Sequence, residues 1–124
     1  MAILKTYARL WSEDLDTALP PLVELVGEEP HLRLPFGEVE LGAIGDFLVI
    51  AATPQAAANL PRATATVVVS DLGETQAMLA SHGAEVTFGP TQGPTGSYLY
   101  ARHADGSEVE YVQWKPELVA RILA

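Results

Sequence analysis

The sequence predicts an α+β fold: two βαβββ modules whose strands form an open mixed sheet around a cleft. The first observation behind this is an internal echo. An extended stretch ending Trp11-Ser12-Glu13-Asp14-Leu15 runs into a helix-like segment closed by Gly27, and one ending Val69-Ser70-Asp71-Leu72 runs into another closed by Gly83. The second is that each copy continues with apolar strands and a late turn, Gly45-Asp46 in the first half and Asp105-Gly106 in the second. Helices followed by runs of hairpin-connected strands exclude a doubly wound sheet, which needs strands and helices to alternate. Two such units can pair their sheets around a shared cavity, and a function would sit there.

Each element has its own warrant. Leu4 to Trp11 alternates as a half-buried strand, with Tyr7, Arg9 and Trp11 on one face and Ala8 and Leu10 on the other. Asp14 is placed to cap a helix carrying Leu15, Leu19, Leu22 and Val26 at helical spacing before Gly27. Pro20 and Pro21 fall in its middle, and a proline there removes a backbone bond at about 3 kcal/mol, so this helix is expected to start late or kink. His31 to Phe36, Val39 to Ile44 and Phe47 to Ala52 read as strands. Module one thus spans residues 1–53, and the Ala-rich stretch with Pro54 and Pro61 makes 54–63 a linker.

Module two, residues 64–115, opens with a β-rich strand from Thr64 to Ser70. A helix from Leu72 to His82 follows, with Leu72, Met78 and Leu79 as expected apolar anchors. Ala84 to Phe88, Tyr98 to Arg102 and Glu108 to Trp114 supply its strands, and Gly89 to Gly96 reads as a Gly- and Pro-rich loop, a candidate lid. It lacks the Lys-Ser/Thr of a phosphate loop. A helix over 116–124 closes the chain.

Composition narrows the function. A chain of 124 residues is a single domain by size and buries about two-thirds of its unfolded surface. The formal charge is −9, and the seven Lys and Arg are scattered, which excludes nucleic acid as a partner because phosphate backbones need a basic footprint. The same acidity favours a cationic small molecule over an anionic one. Cysteine is absent, so any metal would need His, Asp or Glu. Lys5, Tyr7 and Arg9 interrupt any signal-peptide core, and the longest apolar run, Phe47 to Ala52, is far below the roughly 20 residues of a membrane helix. A cytoplasmic location and no membrane partner are the expectations.

The second half resembles the vicinal oxygen chelate superfamily, which includes glyoxalase I, extradiol dioxygenases and bleomycin-resistance proteins. The residues that carry the resemblance are Val68-Val69-Ser70-Asp71-Leu72 opening a helix that ends at Gly83-Ala84, then Tyr98-Leu99-Tyr100, then Ala104-Asp105-Gly106-Ser107-Glu108-Val109-Glu110-Tyr111-Val112. The first half matches in order and length. The resemblance implies the glyoxalase/bleomycin-resistance fold, a pocket in the sheet, and a homodimer. It also implies four metal-ligand positions. One falls on Glu110, a good ligand type. Counting back from Asp71 puts another on Thr64, counting back from Asp14 puts the third on Tyr7 or Thr6, and aligning Gly45 with Gly106 puts the fourth on Val49. A divalent ion generally takes about three imidazole or carboxylate ligands, so no metal and no cofactor is expected here.

The remaining candidates are weighed on their own chemistry. Glu110 is either solvated in an open cleft or the charged floor of an apolar pocket, where it would recruit a cation; Arg9 is the internal candidate for that pairing and otherwise a ligand contact. Trp11, Trp114, Tyr98 and Tyr100 are either core packing or stacking surfaces for a planar ligand. Tyr111 should face the helix as core. His31, His82 and His103 share no metal-binding spacing and read as surface residues.

The function expected is therefore metal-free binding or sequestration of a small aromatic or cationic molecule, in a cleft lined by Tyr7, Arg9, Trp11, Thr64, Thr66, Tyr98, Glu110 and Trp114. The alternative is a lyase or dioxygenase-like enzyme using Glu110 as a metal ligand or general base. A closed cavity serving only partner pairing is a third possibility.

Overall fold

The computed structural model describes the backbone of residues 1–123 and the side chains of residues 1–122. Residue 124, the end of the expected last helix, lies outside them. The elements run β1 (Ile3–Ser12), α1 (Leu15–Val26), β2 (Leu32–Phe36), β3 (Val39–Ile44), β4 (Phe47–Ala51), α2 (Pro54–Ala57), β5 (Ala65–Val69), α3 (Leu72–Ser81), β6 (Glu85–Gln92), β7 (Gly96–Arg102), β8 (Glu108–Trp114) and α4 (Pro116–Leu123). The strands form a mixed sheet in the order β2-β3-β4-β1-β5-β8-β7-β6. Two compact units emerge: Tyr7–Pro61, and Met1–Thr6 together with the chain from Arg62 onward. The α+β class and the paired βαβββ modules are as the sequence predicts.

In the first unit, β1 and β4 run parallel with Arg9 opposite Leu48 and Trp11 opposite Ile50. β3 lies antiparallel to β4 and β2 to β3. Leu15 and Leu19 of α1 pack with Ile44, Val49, Ala51 and Leu10, so alternation sends Tyr7, Arg9 and Trp11 to the opposite face. Gly42 lets α1 close down on the sheet, since a Cβ there would stand 3.3 Å from Leu15. Asp14 caps α1 by accepting from the Asp16 N–H at 2.8 Å and from the Thr17 hydroxyl, and Gly27 ends it with φ +82°.

α1 neither starts late nor breaks; it runs from Leu15 through Pro20 and Pro21. Both prolines lie on its exposed side, as do Asp16 and Thr17, the residues whose carbonyls lose their helical partners to the prolines. The stretch after β4 is more ordered than a plain linker: Thr53 accepts from the Ala56 N–H and caps the short α2.

In the second unit, β5 and β8 are parallel, β7 is antiparallel to β8, and β6 is antiparallel to β7. Val67, Val69, Leu99, Ala101 and Tyr111 form a core with Leu72 and Leu79 of α3. Tyr111 is helix-side core, as expected. Met78 is not an anchor: it is 41% exposed, and the fully buried α3 position is Thr75, whose hydroxyl donates to the Asp71 carbonyl at 2.7 Å. Asp71 caps α3 through the Glu74 N–H, and the Gln113 side chain accepts from the Leu72 N–H at 2.8 Å.

The expected lid over Gly89 to Gly96 is largely strand. Thr91 pairs with Tyr98 and Gln92 with Ser97, leaving a tight connection around Gly93. The ladder survives the Gly and Pro residues by shifting register between Val86 and Phe88 and again between Phe88 and Thr91. Such irregularities suit an edge strand, where a proline forfeits no ladder bond.

Candidate functional site

Pairing across β5, β8, β7 and β6 assembles the second unit's helix-free face row by row. Thr66 stands opposite Glu110, Glu110 opposite Tyr100, and Tyr100 opposite Phe88. The next row is Val68, Val112, Tyr98 and Thr91. Thr66 is 2% exposed, and its hydroxyl donates to Glu110 Oε1 at 2.8 Å, fixing the carboxylate in one orientation.

Three aromatic rings cluster on this face, Tyr100 standing opposite the carboxylate and Phe88 opposite Tyr100. Phe88 and Tyr98 lie 6.0 Å apart at 24°, Phe88 and Tyr100 6.3 Å apart at 74°, and Tyr98 and Tyr100 6.1 Å apart at 85°. Two nearly parallel faces with a perpendicular third are the offset and edge-to-face arrangements that ring quadrupoles favour. Gly93 lies against Tyr98, as a Cβ there would be 2.9 Å from the ring. Burial raises the Tyr98 phenol above the ordinary tyrosine range, and the charge of Glu110 adds to the effect.

The other candidates are placed here within their own units. Tyr100 and Trp114 are buried and Tyr98 is partly so, while Thr64 is exposed just before β5, its N–H donating to the Glu108 carbonyl. In the first unit the Arg9 guanidinium carbon lies 5.4 Å from the centre of the Trp11 ring, a cation–π distance. Tyr7 is fully buried and its hydroxyl is 2.7 Å from His31 Nε2, the rings stacking at 5.8 Å. Burial, helped by Asp46, pushes the Tyr7 phenol well above its ordinary value.

Two histidines read as surface groups are thus hydrogen-bonded, since His103 Nε2 is likewise 2.7 Å from the Tyr111 hydroxyl. Sequence reasoning also missed Phe88. Simple alternation puts it on the side of Val86, which packs toward α3; the register shift between them turns Phe88 to Tyr100. No local signal marks such a shift apart from the Gly89-Pro90 pair that follows.

Tyr7, Tyr98 and Tyr111 all have raised phenol values, in each case chiefly through burial. A raised folded-state value means that the fold favours the neutral phenol. This stabilisation is complete below the ordinary value of 10.0 and is lost as pH climbs through the raised values. Tyrosinate absorbance should therefore show these three ionising above pH 10.0 and together with unfolding; reversible ionisation of all tyrosines near pH 10.0 in the folded protein would refute it.

A metal does not fit this donor set. Glu110 has a threonine and a tyrosine as its cross-strand neighbours, and among the described residues no three His, Asp or Glu side chains are gathered where they could hold an ion. Val49, the expected fourth ligand position, packs toward α1 instead. Its displacement follows from turn length: Ile44 pairs with Phe47 across a two-residue turn, whereas Arg102 pairs with Glu108 across residues 103–107. Equal counts from Gly45 and Gly106 therefore reach opposite faces, and Leu48, beside Arg9, is the true counterpart of Glu110. What the arrangement offers is a fixed carboxylate beside ring faces, which is recognition chemistry.

No helix among the described residues is long and apolar enough to cross a membrane. No family model and no curated protein matches the chain. Among solved structures, an uncharacterized protein of Methanosarcina mazei is 35% identical, with 93% of this chain and 95% of that one covered and a TM-score of 0.86. A Legionella pneumophila chain described as an NAD-dependent benzaldehyde dehydrogenase shares the fold at 11% identity, with 89% and 99% covered and a TM-score of 0.61. A member of the glyoxalase/bleomycin resistance protein/dioxygenase superfamily from Sphaerobacter thermophilus matches at 18% identity, with 86% and 95% covered and a TM-score of 0.36. With its paired βαβββ modules in the α+β fold that the sequence predicts, the chain belongs to one family with the Methanosarcina mazei protein.

Proposed function

We propose that this chain binds a small planar molecule without a metal, on the face of the second unit that carries Thr66, Tyr98, Tyr100 and Glu110. The observation that carries the reading is a cluster of three rings on the same face as a carboxylate that accepts from Thr66, with Tyr100 opposite that carboxylate. Ring faces supply contact area at low entropic cost, and the single charged group supplies orientation. The Arg9–Trp11 pair of the first unit is a further candidate platform. A homodimer is proposed on the superfamily resemblance, with light scattering as its check.

Calorimetric titration with a panel of planar aromatic compounds tests the binding. Tyr98→Leu should weaken the best binder about tenfold or more, the loss of a stacking face, while circular dichroism stays unchanged. Absence of binding by every compound, or equal affinity in Tyr98→Leu, would sink the proposal. Glu110→Gln separates this reading from catalysis: the amide keeps an acceptor oxygen for Thr66 but cannot take a proton, so lost turnover with retained affinity would mark an enzyme.

A further inference from the structure

We infer that the cleft between α1 and the outer strand β2, on the helix side of the first unit, binds a small aliphatic amine, with its hydrocarbon body against α1 and its protonated nitrogen at Glu29. This second site is independent of the one proposed above, which lies on the helix-free face of the second unit.

The cleft follows from the strand pairing. Gly42 of β3 faces α1, since a Cβ there would stand 3.3 Å from Leu15 and 3.6 Å from Leu19. Arg33 of β2 stands opposite Gly42, and Glu40, on the same face two positions earlier in β3, accepts from Arg33. These three positions carry no bulky apolar side chain to fill the space against α1. The helix, meanwhile, brings Leu15, Leu19 and Val23 to that side at helical spacing. What is left is an open cleft of about 640 Å³, within the usual size of a small-molecule site. The buried Leu15 and Leu19 form its floor, and the exposed Pro20 and Glu29 lie at its rim.

Its lining decides the chemistry of the occupant. The apolar part is Leu, Val and Pro, with no aromatic ring, so an aliphatic body is held by the area it removes from water. Arg33 is already matched by two carboxylates: its Nη2 donates to Asp16 Oδ1 at 2.9 Å and its Nε to Glu40 Oε2 at 3.2 Å. Glu29 has no hydrogen-bond or ion-pair partner among the described residues, which leaves its carboxylate for a ligand. From Glu13 to Glu40 the chain carries eight acidic residues, and Arg33 is its single Lys or Arg, so the local field draws in a cation and repels an anion.

Three cage hydrocarbons of one shape separate charge from fit: adamantyl amine, adamantyl alcohol and adamantane carboxylate. Titrated into protein with labelled Leu and Val methyl groups, the amine and the alcohol should both move the resonances of Leu15, Leu19 and Val23. At low salt the amine should bind about fivefold tighter than the alcohol, with the carboxylate weakest, and added salt should shrink the difference. Glu29→Gln, at an exposed position where folding is not at stake, should bring amine and alcohol within about 1.5-fold of each other while leaving the alcohol's affinity in place. Val23→Phe should weaken all three by filling the cleft. Methyl shifts confined to other residues, or none with any probe, overturn the inference and leave the planar-ligand site standing. Equal binding of amine and alcohol by the unaltered protein overturns it as well. So does an advantage of the amine that persists undiminished in Glu29→Gln, because the nitrogen would then sit elsewhere.

Discussion

Gly96→Ala should lower the unfolding free energy by about 3 kcal/mol or more, in keeping with the largest single-residue effects. Gly96 opens β7 at φ +144°, and a Cβ there would stand 2.0 Å from the Gln113 carbonyl oxygen and 3.2 Å from the Trp114 Cα. Those atoms are backbone, so no rotamer change can relieve the clash. Relief requires β7 to move off β8, which breaks the pairing of Gly96 with Trp114 and disturbs the bond from the Gly93 N–H to the Gly96 carbonyl. Gly106→Ala is the control: φ is +96° but nothing lies within 4 Å of the added carbon, so only backbone strain of about 1–2 kcal/mol is incurred. Urea unfolding should place the Gly96→Ala midpoint well below that of Gly106→Ala. Equal midpoints would show that the β7–β8 contact is looser than described.

Trp114→Ala should cost about 3–5 kcal/mol, the usual range for removing a buried large aromatic side chain. Trp114 is 5% exposed, and its neighbour Gln113 caps α3, so the end of β8 anchors both sheet and helix. Trp11→Ala should cost less than half as much, because Trp11 is only partly buried and the void it leaves is open to solvent. Thermal unfolding of the two variants decides the roles. Similar destabilisation would mean that Trp114 is as dispensable to the core as Trp11, and its assignment to packing would be wrong.

The fold was legible because its signals are local and repeated. Asp14 and Asp71 cap α1 and α3, Gly27 and Gly83 follow their ends, and strict alternation in β1, β5 and β8 assigns each face. Tertiary context defeated local rules in three places. α1 absorbs Pro20 and Pro21 because its outer side is in water, β6 continues past Gly89 because an edge strand tolerates irregular pairing, and Met78 sits outside because Thr75 satisfies its own hydroxyl within the helix. The site was half legible. Glu110, Thr66 and the Tyr98–Tyr100 spacing follow from parity alone. Phe88 depended on a register shift, and Leu48 in place of Val49 depended on comparing two turns of unequal length.

The account stands on recognition by rings and a carboxylate with no ion involved. Its most direct measurement is the affinity of a planar aromatic ligand for protein stripped with chelator, repeated with stoichiometric zinc, nickel, manganese or iron(II) restored. The expected result is the same affinity throughout, with Tyr98→Leu weakening it equally in every sample. Binding that appears only when a divalent ion is present, and is lost in Glu110→Gln, would contradict the account.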